Sequence, residues 1–587
     1  MKLIEVLEKV KELESDSTSF TQNIKISILR NHTLDGITPY LKFYFYSSGI
    51  NLDLSFGEYN NIVQESINSD SLAYQSNDIV VISLSLFEWS SKSGLFAINE
   101  IEVIEEIKLI SDTLLSKTNS ILIFNTFSEP FNNENGILSN EQSLSKKIRK
   151  INSFLEEIIE KNNGRAFLVN LDRIIRLIGQ NEAMDYRFLY SARAPFKPEL
   201  LNQYASEISK IGRALKGKNK KCLILDCDNT LWKGIIGEDG ITGIKLDPNN
   251  YPGNIFYNFQ QSVVQLVNRG VIVALCSKNN ESDVFEVLEK HQYSFLKRHH
   301  LAAWRINWKN KVDNIRELSE QLNIGLDYFV FVDDSPLECN LVKEQLPEVV
   351  VIQVPEKIYE LPEILIKDGL FDSLSVTDED IRRTDLYRSE SIREESKKYF
   401  TDISSYLESL NIELEVFRND FTSVKRLAQL TQKTNQFNLT TLRCSEEQIS
   451  DFISEPNNEL FHFSVKDKFG DMGITGLIMA NIEDNKMKIQ NFLMSCRVLG
   501  RNIESAFIHF FISKLIEEKK LEIVTAEFLP TKKNIQVKEF WKNFGFDVLN
   551  SSELKVEYFL HCNKYIKSEI DYIKINYLET YEYKRAN

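Results

Sequence analysis

Four short stretches hold residue types that could move a phosphoryl group, and their order along the chain says more than any one of them. In LILDCDNTLW (223–232) an apolar run ends in Asp226-Cys227-Asp228-Asn229-Thr230. Strand alternation turns Asp226 and Asp228 the same way. Two such carboxylates repel unless a cation sits between them. Magnesium suits the place, because it takes hard carboxylate and phosphate oxygens together. One carboxylate could attack phosphorus, while the other protonates the leaving oxygen and later activates water. Position assigns the nucleophile to Asp226 and the general acid–base to Asp228. Downstream, the run 271–277 ends in Ser277, whose hydroxyl could hydrogen-bond the transferring group. Lys311 opens a helical pattern after INWKNK (306–311) and could neutralise phosphoryl charge. The run YFVFVDD (328–334) ends in Asp333-Asp334, which could complete a metal shell with Asp226 and the main chain of Asp228. Asp334 is the favoured ligand, and Asp333 the favoured partner of Lys311. Capping aspartates at a strand end would explain DxDxT by itself; they do not explain all four stretches in this order.

A second group lies near 500. MSCRVLGRNIE (494–504) places Cys496 beside Arg497, Gly500, Arg501 and Asn502, just ahead of a helical pattern. A loop at a helix start offers backbone N–H groups to an anion. An adjacent arginine and a helix N-terminus also favour a thiolate. Cys496 and Cys227 therefore compete as acceptors of an acyl group. Cys227 lies closest to where phosphate would leave, but the flanking carboxylates work against its thiolate, and the physics leans to Cys496. His462, His509, Asn435, Asn438, Arg443 and Asp471 are further polar residues that could line this site.

These residues need a frame. Residues 1–215 alternate buried strand-like runs (23–30, 78–86, 120–127, 166–171) with helical stretches at 97–116 and 141–162. The rhythm predicts a doubly wound parallel sheet. A second α/β unit, 216–375, carries the runs 222–226, 271–277, 328–334 and 348–354, each beside helical periodicity. Residues 376–410 are charged, nearly free of Gly and Pro, and read as a helical connector. A third unit, 411–550, mixes strands at 412–417, 460–467, 474–482 and 488–495 with helices at 422–432, 445–453 and 502–518. Residues 551–587 read as a Tyr- and Lys-rich tail.

Bulk composition narrows the class. A chain of 587 residues exceeds one hydrophobic core. A net charge of −15 argues against a nucleic-acid binder. It leaves room for a local basic pocket, and KRHHLAAWRINWKNK (297–311) is one stretch that could draw in a phosphorylated substrate. No apolar run approaches the roughly 20 residues that span a bilayer. The charged opening MKLIEVLEKVKELESDS is not a signal sequence. A cytoplasmic protein is the expectation. The seven cysteines form no CxxC pair, which speaks against zinc and for reduced thiols.

The order Asp-Asp, Ser, Lys, Asp-Asp resembles the haloacid-dehalogenase (HAD) superfamily. LDCDNTLWKGIIGEDG (225–240), the stretch 258–284, INWKNK and FVDDSPLECNLVK (331–343) resemble its FkbH-like subfamily more closely. So do LTQKTNQFNLTTLR (430–443), DKFGDMGITGLI (467–478), MSCRVLGRNIE and PTKKNIQVKEFWKNFGF (530–546). The likeness covers about 216–550. It implies that the glyceryl group of 1,3-bisphosphoglycerate passes to an enzyme cysteine, that phosphate is removed, and that an acyl carrier protein receives the group on its phosphopantetheine thiol. The loop Arg497–Asn502 and FWKNFGF (540–546) are similar to GNAT acyltransferases, whose pyrophosphate loop reads R/Q-x-x-G-x-G/A. The resemblance implies a coenzyme A or phosphopantetheine ligand there, with Asn502 standing where the pattern has Gly or Ala. The first unit resembles an SGNH-type sheet domain without its GDS and DxxH motifs, which implies a non-hydrolytic role. The implied whole is an α/β multidomain chain with SGNH/flavodoxin-like, HAD Rossmann-like and GNAT-like α+β parts. A plain phosphatase with an accessory domain, a transferase of another acyl group in polysaccharide or secondary-metabolite synthesis, and a scaffold protein remain alternatives.

Overall fold

The computed structural model describes residues 2–15, 20–89, 98–129, 143–397, 399–400, 402–531, 533–568 and 570–578. The chain forms two compact units: residues 1–218 with 445–448, and residues 219–444 with 449–587. The second and third stretches of the sequence reading therefore fold into one body.

The first unit holds five strands, β1 (Gln22–Arg30), β2 (Ile50–Phe56), β3 (Ile79–Ser83), β4 (Ile121–Asn125) and β5 (Ala166–Val169). All pair in parallel, in the order β2-β1-β3-β4-β5. That is the flavodoxin-like doubly wound order. β2 is absent from the sequence reading. Its run INLDLSF alternates polar with apolar residues and is half exposed, as an edge strand can afford to be.

In the second unit, β6 (Cys222–Leu225), β7 (Ile272–Ser277), β8 (Ala303–Ile306), β9 (Phe329–Asp333) and β10 (Val350–Gln353) form another parallel sheet. Every residue of β6, β7 and β9 is buried, as expected for strands covered on both faces. Leu223 and Leu225 pack with Phe256, Phe259 and Val263 on one side. Cys222 and Ile224 pack with Val312, Ile315 and Leu318 on the other. Read from β8, the order is β8-β7-β6-β9-β10, a doubly wound sheet whose direction reverses between β6 and β9. Ligand sites in such sheets lie at that crevice, beyond the carboxyl ends of the strands.

The connector is helical over Asp378–Ile381, Arg383–Lys397 and Ile403–Ser409. Arg393 fastens it to the third sheet through two bonds to Asp467, at 2.7 and 2.8 Å. That sheet contains β11 (Ile412–Arg418), β12 (Phe437–Asn438), β13 (Asn458–Asp467), β14 (Gly470–Glu483), β15 (Lys486–Met494), β16 (Ile523–Phe528), β17 (Asp547–Ser551), β18 (Val556–His561) and β19 (Ile573–Leu578). The reading of 551–587 as a tail is corrected here. β18 pairs antiparallel with β16, and β19 runs parallel to β11 at the sheet edge. Both are short and half exposed, so they lack the apolar runs that marked the inner strands. Residues 579–587 lie outside the described residues. β15 pairs with β16 only over Lys486–Ile489. Past that point it diverges, takes β12 as a neighbour at Leu493–Met494, and ends just before the turn that carries Cys496.

Candidate active site

The backbone N–H of Asp226 donates to Val332 O at 3.0 Å and so extends the β6–β9 ladder by one step. β6 itself stops at Leu225. The chain then turns, with Thr230 and Leu231 donating to Cys227 O at 3.2 and 2.8 Å and Asn229 in the left-handed region at φ 52°. Asp228 is therefore placed by a turn, not by strand alternation as the sequence reading assumed. Gly234 closes the loop at φ 111°. A Cβ there would lie 2.6 Å from an oxygen of Asp239, so both conformation and space require glycine.

Lys311 is the first residue of the helix Lys311–Leu322, and Asn310 caps that helix by accepting from Val312 N. This fixes the lysine stem against β9, with its ammonium nitrogen 2.8 Å from Asp226 Oδ1 and 2.6 Å from Asp333 Oδ2. The expected Lys311–Asp333 pair is present, and Asp226 shares the same cation. The other oxygen of Asp333 accepts from Ser335 N at 2.9 Å. Ser335 in turn caps the helix Pro336–Gln345, whose Pro336 stands in the first turn. Among the described residues the Asp334 carboxylate has no ion-pair partner, and the one hydrogen bond it accepts is from its own backbone N–H. Carboxylate oxygens of Asp226, Asp333 and Asp334 lie within 4.8 Å of one another.

The electrostatics follow. Burial, and then the charge of Asp226, push the Asp333 carboxyl up to about 6 despite Lys311. The same two causes raise Asp334. Burial disfavours the Lys311 ammonium, but Asp226 and Asp333 outweigh it and hold its pKa above the ordinary lysine value. Three carboxylates facing one ammonium leave negative charge in a largely buried place. An all-oxygen donor set with excess charge fits a magnesium ion. Asp226 and Asp334 could hold it, beside Asp333, whose two oxygens are taken by Lys311 and Ser335 N.

The carboxylate of Asp228 stands outside that group. It accepts from Trp232 Nε1 and Ile236 N at 2.9 and 3.0 Å on one oxygen, and from Asn279 Nδ2 at 3.0 Å on the other. Both oxygens are committed to its own loop and to Asn279, which leaves its main chain for the metal role expected of it. Asn279 also donates to Ser277 Oγ at 3.1 Å. It ties the general-acid candidate to the strand-end hydroxyl and is the site residue that sequence reasoning missed. Its only signal was its place two residues past Ser277.

Cys227 is fully buried among Leu231 and Trp232. Burial, and then Asp226, drive its thiol well above the usual cysteine range. A buried thiol that favours its protonated form is a poor acyl acceptor, which weighs against Cys227. Three cations of the basic stretch 297–311 are paired with glutamates. Arg298 pairs with Glu289 at 3.7 Å, Arg305 with Glu317 at 2.6 Å and Lys309 with Glu317 at 3.3 Å; only Lys311 enters the site.

Cys496 lies elsewhere. It lines a cavity with Lys221 and Gly325, residues at the amino ends of β6 and β9, opposite the aspartates. Asn323 Nδ2 donates to Cys496 O at 3.1 Å. Arg497 lines the same cavity. Arg501 does not: it is buried against Glu390 and donates to Arg497 O at 3.0 Å, so it is spent on the fold and is withdrawn as an anion ligand. Gly500 and Asn502 take φ of 76° and 59°. Asn502 thus adopts the left-handed geometry that Gly would supply, and its amide donates to Tyr572 Oη at 2.6 Å. Asn435 lines the Cys496 cavity. Arg443 bonds the main chain of Thr434 at 2.9 Å, and Asn438 is buried in β12. His462 bonds Asp420 at 3.2 Å, Asp471 Oδ1 accepts from Gly473 N at 2.8 Å at the start of β14, and His509 meets Tyr565 Oη at 2.6 Å in a separate pocket.

The family of NLI interacting factor-like phosphatases matches residues 221–351. Among solved structures, the N-terminal part of protein BF1531 from Bacteroides fragilis, which contains a phosphatase domain and is complexed with Mg, is 29% identical. It aligns with a TM-score of 0.58 over 64% of this chain and 100% of that one. The spermidine/spermine N-acetyltransferase SpeG from Vibrio cholerae is 12% identical, over 27% of this chain and 96% of its own, with a TM-score of 0.20. The paia N-acetyltransferase from Thermoplasma acidophilum is also 12% identical, over 25% and 98%, with a TM-score of 0.20; neither likeness is close enough to carry an argument. No curated protein matches the chain. Residues 221–351 are a phosphatase domain of the HAD type, within a mixed α/β multidomain chain. No helix among the described residues is long and apolar enough to cross a membrane.

Proposed function

We propose that this chain is a magnesium-dependent glyceryltransferase and phosphatase that loads an acyl carrier protein. The observation that carries the reading is the pairing, in one compact unit, of the Asp226–Lys311–Asp333 centre with a thiol, Cys496, in a cation-lined cavity. A phosphatase with an inert accessory domain has no use for the second.

In this reading Lys311 holds Asp226 Oδ1, leaving Oδ2 to attack phosphorus. The P–O bond to the substrate oxygen breaks, Asp228 protonates that oxygen, and water activated by Asp228 frees the phosphate from Asp226. Ser277 and Lys311 bind the transferring group. Magnesium held by Asp226, Asp334 and the Asp228 main chain would neutralise phosphoryl charge. Cys496 accepts the acyl group of 1,3-bisphosphoglycerate, and the phosphopantetheine arm of the carrier takes it onward. Coenzyme A is the other pantetheine ligand that this reading admits. No nucleic acid or membrane takes part.

The test is an intact-protein mass spectrum after incubation with 1,3-bisphosphoglycerate and Mg²⁺, with phosphate assayed in parallel. A hydroxylamine-labile adduct mapped to Cys496, with phosphate release that Asp226→Asn lowers, is expected. Phosphate release without any adduct would reduce the function to that of a simple phosphatase.

A further inference from the structure

A cavity of about 260 Å³ opens beside the amino ends of β6 and β9. Six cationic side chains line it, Lys221, Arg383, Arg426, Lys433, Arg497 and Lys533, against three carboxylates. Those carboxylates are engaged. Asp327 pairs with Lys533, Asp380 with Lys433 at 2.9 Å and Arg383 at 3.7 Å, and Glu379 with Arg426 at 3.9 Å. Among the described residues Lys221 and Arg497 have no carboxylate partner. The Lys221 ammonium donates to Lys433 O at 2.6 Å, and Arg497 Nε to Ser495 Oγ at 3.2 Å. Arg497 is 9% exposed, and its Nη1 has no hydrogen-bond partner among the described residues. Buried donors are normally satisfied. A guanidinium edge left open in a cavity wall therefore fits a group that arrives with a ligand.

Charge and size identify that group. Burial, and then the charge of Arg497, bring Arg426 down to about 10. Burial, and then Arg383, bring Lys221 to about 7. Cations that disfavour one another in this way gain from an anion placed among them. Six cations against three carboxylates leave an excess that one further carboxylate would barely offset. A phosphomonoester brings nearly two negative charges and three acceptor oxygens, and guanidinium forks match such oxygens in pairs. Pockets for drug-sized ligands run from about 300 to 1,000 Å³. A cavity of about 260 Å³ suits a phosphate on a short stem better than a nucleotide.

The cavity is separate from the phosphatase centre. Lys221 precedes β6 and Asp226 follows it. Five steps of about 3.3 Å put them roughly 16 Å apart along one strand. The two places also differ in what they need. Asp226, Asp333 and Asp334 gather negative charge and fit a cation before any phosphate. The cavity supplies the positive charge itself. We propose that Arg497, Lys221, Arg383 and Arg426 form a second anion site, which binds free phosphate or a small phosphomonoester without magnesium. Cys496 shares the cavity wall, but the binding does not depend on that thiol accepting an acyl group.

The experiment titrates the full chain in chelator, with inorganic phosphate and separately with glycerol 3-phosphate, and follows the heat of binding. One ligand per chain is expected. Arg497→Gln should weaken binding about tenfold or more, and Lys221→Gln repeats the test at another cation of the same wall should the first variant fail to fold. Tighter binding of glycerol 3-phosphate supports the site as one for a phosphomonoester; equal or weaker binding supports it as one for free phosphate. Saturating phosphate should also slow the alkylation of Cys496 by iodoacetamide in the unaltered chain, read by peptide mass spectrometry, while glycerol at the same concentration should not. No binding in chelator, binding that survives both substitutions, or alkylation of Cys496 unchanged by phosphate overturns the proposal. Phosphate binding with no adduct from 1,3-bisphosphoglycerate keeps this site and removes the acyl-acceptor reading instead.

Discussion

Replacing Asp334 by Asn should stabilise the magnesium-free protein while abolishing its response to the ion. Oxygens of Asp226, Asp333 and Asp334 lie within 4.8 Å of one another. At an effective dielectric constant of about 20, each pair of charges at that separation repels by about 3.5 kcal/mol. Asp334 faces two such neighbours and one ammonium, Lys311, so the net repulsion on it is about one pair. Half-exposure screens this to roughly 1–2 kcal/mol. The pKa of Asp334 is raised by burial first and then by Asp226, and the second of these is the same repulsion seen from the proton's side. Asparagine keeps the shape, drops the charge, and breaks no hydrogen bond among the described residues. In chelator, the transition of this unit should rise by a few degrees, at about 2 °C per kcal/mol for a body of this size. Magnesium at about 100 times its Kd should add roughly 2.7 kcal/mol to the wild type and nothing to the variant. A lower melting temperature for Asp334→Asn in chelator would mean that its carboxylate is paired, not repelled. An undiminished magnesium shift would mean that the ion binds elsewhere.

Among the described residues Lys311 is the one cation bonded to Asp226 and Asp333; Lys311→Met should cost about 3–5 kcal/mol in chelator melts and lower phosphate release about 100-fold or more. Asn279→Ala frees both Asp228 and Ser277 and should cost about 1–3 kcal/mol, with a fall in kcat larger than any rise in KM in steady-state phosphate assays. Cys496→Ser should abolish the hydroxylamine-labile adduct, whereas Cys227→Ala should retain it; the reverse pattern in peptide mapping would return the acyl group to Cys227.

The second sheet was legible because parallel strands covered on both faces must be written as unbroken apolar runs. CLIL, IVALCS and FVFVD each end in the residue that matters or one short of it. β8 was missed because AWRI is only four residues long and buries just its two end positions, inside a basic stretch. The Asp226–Lys311 contact was not legible as a pair, since 85 residues separate them and only the β6–β9 crevice joins their strand ends. Asp228 was misplaced because strand alternation was carried past Leu225 into a turn. Arg501 was read as an anion ligand because a sequence shows a cation but not its partner, here Glu390 in the helical connector. The cavity around Cys496 stayed hidden for a related reason. Its cations come from five separate stretches of chain, which only the fold brings together.

The net charge of the chain and the two sites proposed to handle anions pull in opposite directions. With 85 acidic and 70 basic residues the molecule carries −15, and its long-range field repels a polyanionic substrate. That field is screened beyond about 8–10 Å at physiological ionic strength. The cations that matter act inside it: Lys311 is 4% exposed and Arg497 is 9% exposed. Charges so buried are screened little by salt and act at contact in a low dielectric. Raising salt from about 50 to about 200 mM should then relieve the repulsion without weakening the contacts. Adduct formation at limiting 1,3-bisphosphoglycerate should hold steady or rise. A surface-steered site behaves otherwise, losing rate as salt masks its attraction. A steep fall over that range would move substrate recognition to exposed cations such as Arg298, and would remove the reason for assigning it to the buried edge of Arg497.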